Sequence, residues 1–356
     1  MNNTPSLLRL IESFNVKLIV IPISLILIGI FTLFSLSSDI NLIKHLVYAS
    51  FSLFSFFTII FLDKSFLKKL LNISLFILIL MLIYVYFDGY EKNGATRWIR
   101  IFNFSIQPSE LIKAPFICFI SWFFYLSLKN LDYRILYIPI LIFLLILSLI
   151  ASQPDFGTSI YFFISFSLIA ILYIKKVKFF LYLSLFGIFF VSIIIILNEY
   201  IRNRIYSFFN ETSLQVMSSL DAINSGGLLG VGLGEGQLKY LISENDNDFI
   251  FSIIIEEVGI LFGILIVFFY PLYLFFTKKA SSVIDNLFLK NTVFVMAFMT
   301  VFQAFINIST AIDLIPPTGM PLPFVSSGGS SLLSYAIIFG TVANFTKNEK
   351  SSISSS

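Results

Sequence analysis

Apolar and polar positions alternate along this chain on the scale of whole helices, not of single residues. Ten apolar runs, near 16–37, 43–62, 69–87, 109–128, 135–151, 157–174, 179–198, 252–276, 291–310 and 328–345, are separated by short polar breaks or longer polar segments. A bilayer core is crossed by roughly 20 apolar residues in helical form. Backbone groups in hydrocarbon must be satisfied within the segment, so runs of this length predict helices and not open strands. The expected fold class is therefore all-α: a polytopic membrane protein of about ten transmembrane helices, with a long outer loop between helices 7 and 8. One integral membrane domain covers 1–356, with short cytoplasmic tails at 1–15 and 346–356. The first run lacks a basic start followed by a small-residue cleavage site and reads as a retained span.

Composition narrows the function classes. Apolar residues are 58% of the 356 and charged ones 12%, about half the charged share of a soluble domain. That density is too low for a disordered chain or a nucleic-acid surface. A lone cysteine, Cys118, cannot form an intrachain disulfide and reads as a small buried filler. With His45 as the one histidine, a His/Cys metal site is not expected.

Charge sets the orientation. With the N-terminus inside, fifteen of the 23 basic residues fall on the inner segments and adjoining span ends, and eight on the outer side. The positive-inside rule then places both termini in the cytoplasm. The inner loops are short connectors. The outer segments are 88–108, 199–251 and a Pro/Gly-rich stretch at 311–327, and loops this long are commonly functional. Polar chemistry is expected on the outer face.

In the first outer segment Arg97 and Arg100 make a small basic cluster with Lys92, beside Trp98. Guanidinium groups there would grip a lipid diphosphate through charge-assisted bonds, or would be snorkelling cations beside an aromatic-belt anchor. Spacing alone favours the anchor. Gln107-Pro-Ser-Glu110 suits a helix start, and Glu110 and Lys113, three apart, share one helix face. They pair within the bundle or line a polar cavity. In Gln153-Pro-Asp-Phe-Gly-Thr158, Asp155 or Thr158 reads first as a helix cap and second as a wall of an outer cavity.

The long outer loop holds seven acids against three bases and the glycine run Ser225–Gly236. No Gly-Lys-Ser/Thr follows, so it is not a P-loop. A flexible or re-entrant connector is the simpler reading, close backbone approach to a ligand the other. Glu244, Asp246 and Asp248 precede the next span. Asp248 reads as an N-cap, or with its neighbours as a general base or a cation site. Glu257 lies nine residues on, about 13 Å along a helix at ~1.5 Å per residue, and should face the bundle and find a partner. The stretch Ile315–Ser331, with four prolines followed by a Gly-Gly pair, describes a rigid loop at membrane depth. Such backbone must be buried in protein or line a cavity; cavity lining is the expectation.

Taken in order, Gly94-Ala-Thr-Arg-Trp-Ile99, Gln107-Pro-Ser-Glu110, Gln153-Pro-Asp-Phe-Gly157, the Ser225–Gly236 run, Asp248-Phe-Ile-Phe251 with Glu256-Glu-Val-Gly259, and Pro317-Thr-Gly-Met-Pro-Leu-Pro-Phe324 with Gly328-Gly-Ser-Ser331 resemble the SEDS proteins of bacterial shape, elongation, division and sporulation. The resemblance covers nearly the whole chain and leans to the division branch over the elongation branch. Two positions depart from the family pattern. Ser243-Glu-Asn-Asp-Asn-Asp248 stands where Pro-Glu-x-His-Thr-Asp is usual, and Ser327 stands where Tyr precedes Gly-Gly.

The resemblance implies an inverting glycosyltransferase of the bacterial inner membrane. It would polymerise lipid II into glycan strands on the outer face. It would act at the division septum with a class B penicillin-binding protein transpeptidase and other division proteins. Asp248 matches the family's catalytic acid. Arg97, Trp98, Arg100, Glu110, Lys113, Glu257 and Ser330 are the expected substrate-binding residues. No cofactor or metal is assigned, although a divalent cation near Asp246 and Asp248 is compatible with the acids there. Two other function classes remain open: a lipid II flippase, and a non-catalytic division scaffold in which Asp248 is dispensable.

Overall fold

A computed structural model describes residues 15–36, 39–92, 95–101, 104–210, 214–242 and 247–347. All ten apolar runs are helical. The first seven correspond to α1 (Lys17–Leu36), α2 (Asp39–Phe61), α3 (Lys64–Asp88), α4 (Pro108–Leu111) continuing as α5 (Lys113–Asn130), α6 (Tyr137–Ser152), α7 (Phe156–Ile174) and α8 (Val177–Leu197). The long loop that follows carries α9 (Glu199–Asn210) and α10 (Leu214–Gly226). The last three runs are α11 (Ile250–Val258) with α12 (Ile260–Ser281), α13 (Leu287–Ala311) and α14 (Gly329–Phe345).

Seven described helices are long and apolar enough on their own to cross a membrane, and Leu181–Ile196 passes the same test only together with Ile201–Asn210, from which it is bent by 91°. The other two runs differ for physical reasons. Helix α5 sits between α3, α7 and α13, and every residue from Lys113 to Ser121 is buried. A helix shielded from lipid by its neighbours has no need of a uniformly apolar surface. Helix α14 is a shorter apolar helix of 17 residues, entered from a buried loop and packed on α2.

One expectation is corrected. The run at 252–276 is not one continuous helix, because Gly259 breaks it with φ 95° and ψ 166°. The glycine run docks on this break. Val231 and Gly232 donate their amides to the carbonyls of Glu256 and Glu257 (2.9 and 3.1 Å), and Ile260 donates to Gly227 (3.0 Å). A Cβ on Gly259 would stand 2.3 Å from the Leu228 carbonyl oxygen, and one on Gly230 would stand 2.2 Å from that of Glu257. Backbone lies directly on backbone, so glycine is required on both sides. The glycine run is thus docked on the helix break and is not a flexible connector.

The all-α bundle carries one addition, a small sheet in the first outer segment. Strands β1 (Tyr90–Lys92), β2 (Ala95–Ile101) and β3 (Phe104–Ile106) pair antiparallel in that order, with Tyr90 opposite Trp98 and Arg100 opposite Ser105. Its β-branched and aromatic residues suit a pleated surface. Because successive side chains in a strand face opposite ways, Arg97 and Arg100 are sent to opposite faces. They do not form one cluster.

Candidate active site

The outer segments meet at one end of the bundle, and the Pro-rich stretch is their centre. Residues Met320–Ser326 are buried, while Ile315–Gly319 and Ser327–Gly329 are half-buried. With no ladder available, the loop's carbonyls are satisfied by side chains from the surrounding helices. Asn307 Nδ2 donates to Met320 O (2.8 Å), Gln303 Nε2 to Pro321 O (2.9 Å) and Tyr270 Oη to Pro323 O (2.9 Å). Ser326 Oγ accepts from Leu322 N (2.8 Å) and donates to Asn247 O (2.6 Å), tying the loop to the residue before Asp248.

Asp248 does not cap the helix that follows. The N-cap position of α11 is Phe249, and no side chain caps it. Asp248 is half-buried, held through its backbone carbonyl by Asn307 Nδ2 (3.0 Å), and its Oδ1 receives the Asn247 amide at 3.3 Å. A point one bond out from Gly319 Cα lies 3.9 Å from Asp248 Oδ2 and 3.7 Å from Arg97 Nη1. The carboxylate and the guanidinium therefore converge on this glycine, whose φ of +76° suits no other residue well.

Arg97 is held as well as aimed. Its Nε donates to Gln153 O (3.1 Å), its Nη2 to Pro154 O, and its Nη1 lies 3.8 Å from Asp155 Oδ1. Asp155 caps α7 by accepting from Thr158 N (3.2 Å) and also faces Gln107 Nε2 (3.4 Å). The cap reading of that motif therefore holds, and the same carboxylate lies against Arg97 and Gln107. Trp98 is half-buried, and Arg100 is exposed with its guanidinium 5.5 Å from the Tyr90 ring centre.

The remaining expected site residues are turned into the protein. Lys113 is fully buried and donates to Glu110 Oε1 (2.6 Å) and Gln303 Oε1 (2.8 Å), with the rings of Tyr161 and Tyr335 at 4.8 and 5.8 Å. Of the two readings for this pair, pairing within the bundle is the one observed. Glu257 finds its partner in Lys239 (2.6 Å), which also donates to Ser35 O (3.0 Å) and Gly234 O (3.3 Å); Ser35 Oγ donates to the same Glu257 oxygen. This buried node pins the end of α1 and the glycine run to α11. Ser330 Oγ accepts from Gln107 N (3.0 Å) and faces Ser105 O (3.4 Å), joining α14 to the sheet.

Glu244 and Asp246 lie outside the described residues. Among the described residues, no three His, Cys, Asp or Glu side chains come together as a metal group. Sequence reasoning missed Gln303, Asn307 and Lys239. Two carboxamides four apart in the apolar run 291–310 were a readable signal, because polar residues inside a span are costly without a purpose.

Comparison with known proteins fits this architecture. The model of the FtsW/RodA/SpoVE family, described as cell cycle proteins, matches residues 10–351. The chain is 35% identical over 318 residues to a probable peptidoglycan glycosyltransferase FtsW of Borreliella burgdorferi, covering 85% of each chain. It is 33% identical over 366 residues to one of Wigglesworthia glossinidia brevipalpis, covering 96% of this chain and 95% of that one. In fold it is similar to a chain of a peptidoglycan synthase complex described as coordinating polymerization and crosslinking (TM-score 0.78, 22% identity, 94% of this chain and 97% of that one). It is also similar to the rod shape determining protein RodA of Thermus thermophilus (TM-score 0.70, 23% identity, 94% and 96%). This chain belongs to the FtsW/RodA/SpoVE family of cell cycle proteins.

Proposed function

We propose that this protein is a peptidoglycan glycosyltransferase that polymerises lipid II into glycan strands on the outer face of the inner membrane during division. Asp248 is its general base. The observation that carries this reading is the convergence of Asp248 and Arg97 on Gly319, at the end of the bundle where every long outer segment arrives.

The reaction proposed for that geometry is inverting glycosyl transfer. The 4-hydroxyl oxygen of the acceptor sugar attacks the anomeric carbon of the donor as Asp248 takes the hydroxyl proton. The bond from that carbon to the lipid diphosphate breaks with its electron pair, so the configuration inverts and the diphosphate leaves. A diphosphate is a good leaving group and calls for charge stabilisation more than for an acid. Arg97 supplies fixed positive charge beside the base. Arg100 and Trp98, on the other face of β2, meet the headgroup at the membrane surface. Glu110, Lys113, Glu257 and Ser330 act on the substrate through the walls they hold. A class B penicillin-binding protein transpeptidase is the expected partner, with both termini cytoplasmic and the enzyme at the septum.

The test is polymerisation of lipid II by the purified protein with its transpeptidase partner. Asp248→Asn is expected to lower the rate by about 10²–10⁴-fold, the usual worth of a general base, without changing the melting temperature. A wild-type rate in that variant removes Asp248 from the mechanism. Headgroup movement across sealed vesicles with no glycan formed replaces the reading with a flippase.

A further inference from the structure

Helix α13 presents two carboxamides to the site, Gln303 and Asn307, four residues apart and so on one face. They are 0% and 1% exposed. The two have different targets. Gln303 joins Pro321 O to Lys113. Asn307 uses its amide nitrogen on two carbonyls at once, Asp248 O at 3.0 Å and Met320 O at 2.8 Å. Met320 follows Gly319, the residue on which Asp248 and Arg97 converge. One amide group thus fixes the backbone of the acid and the backbone of the opposing wall at the same time.

We infer that Asn307 is the positioning residue for Asp248, setting the height of its carboxylate relative to the wall at Gly319. The inference rests on the proposed role of Asp248 as base. The chemistry is specific to a carboxamide. A primary amide has two N–H donors on one planar nitrogen, matching two carbonyls. Aspartate of the same shape has none when ionised, and leucine has none. Both carbonyls belong to irregular backbone: Asp248 stands just outside α11 and Met320 lies in the Pro-rich loop. Without the amide, the two segments lose the bonds made directly to Asp248 and Met320, and the Ser326 bond to the neighbouring Asn247 O is left to join them. A displacement of about 1 Å at a reacting group costs up to ~10²-fold in rate, and it does so without weakening the binding of a substrate held elsewhere.

The experiment compares Asn307→Leu with Tyr270→Phe in the full-length protein, with its transpeptidase partner and lipid II. Tyr270 also holds the Pro-rich loop, through Pro323 O, three residues along from Met320. Asn307→Leu is expected to lower kcat by about 10–100-fold while KM for lipid II stays within roughly twofold of wild type. Tyr270→Phe is expected to lower the melting temperature with kcat within about threefold of wild type. A kcat for Asn307→Leu within about threefold of wild type overturns the inference. So does a fall in kcat that Tyr270→Phe reproduces, because Asn307 is then one loop support among several. If Asn307→Leu does not yield folded protein, Asn307→Ser, which keeps one hydroxyl donor, takes its place: a lowered kcat at unchanged KM supports the positioning role, and a wild-type kcat overturns it. Asp248→Asn is run in parallel. Wild-type activity there withdraws the base itself, whereas an inactive Asp248→Asn beside a fully active Asn307→Leu refutes only the positioning role.

Discussion

The two ends of the helical bundle are finished in different ways. At the end with short connectors, helices are closed by neighbours in sequence. Asp63 accepts from the amides of Ser65 and Phe66, Asp132 from that of Arg134, and Asn286 from those of Phe288 and Leu289. Asn344, which donates to the last carbonyls of α2, is a long-range exception. At the site end the bonds join distant parts of the chain: Arg97 to Gln153 and Pro154, Asn307 to Asp248, Ser326 to Asn247, and Lys239 to Ser35. Local caps set where helices stop. Long-range bonds hold irregular backbone in one shape, and that is the condition for placing a carboxylate and a guanidinium against the same glycine.

This contrast orders the expected effects of substitution. The largest is at the helix break. Gly259→Ala places a methyl on the Leu228 carbonyl, and no folded protein is expected in detergent by size-exclusion profile. Gly234→Ala, also at positive φ but with nothing within 4 Å, is expected to cost only the ~1–2 kcal/mol of the backbone conformation. Equal behaviour of the two would erase the distinction between docked and free glycines. Next comes the buried ion pair. Lys239→Met strands the Glu257 carboxylate and should cost about 3–5 kcal/mol, whereas adding Glu257→Leu should recover most of that loss in a thermal melt.

Arg97→Lys keeps the charge and loses the planar fork that holds the Gln153 and Pro154 carbonyls. Polymerisation should fall by roughly 10–100-fold, with a smaller change in melting temperature than at Lys239. The smallest effect is expected at Asp63→Ala, at the locally capped end. The Ser65 hydroxyl and the Phe66 and Ser65 amides hold the Asp63 carboxyl below its ordinary value. Its contribution is therefore present above the unfolded carboxyl's range and lost as pH falls through the lowered folded value. Melting temperatures of wild type and variant should differ slightly at neutral pH and converge in acid.

The same contrast explains what could be read from sequence. The ten helical runs were legible because lipid demands a long apolar run from each spanning helix. Asp155 was legible as a cap because capping acts over three residues. Asp248 is singled out by the order of motifs, while its physical reading as an N-cap does not hold, since cap preferences ignore tertiary partners. The three-stranded sheet was missed because strands of three to seven residues are too short to give a clear periodic signal beside the spans. Gln303 and Asn307 were legible as polar residues inside an apolar run, but their partners, and those of Lys239, lie on other elements and came only with the fold. Glu257 was expected to have a partner, and the partner's identity came only with the fold.

The docked glycine run changes what its amides should do in heavy water. Four of its positions, Gly227, Leu228, Val231 and Gly232, exchange backbone bonds with the rim of the helix break. The amide protons of Val231 and Gly232 should therefore trade for deuterium on the slow timescale of a packed helix. A segment that reads in sequence as one long surface loop would then show a protected stripe in its middle, and loss of that stripe on partner binding would reveal undocking as a distinct event.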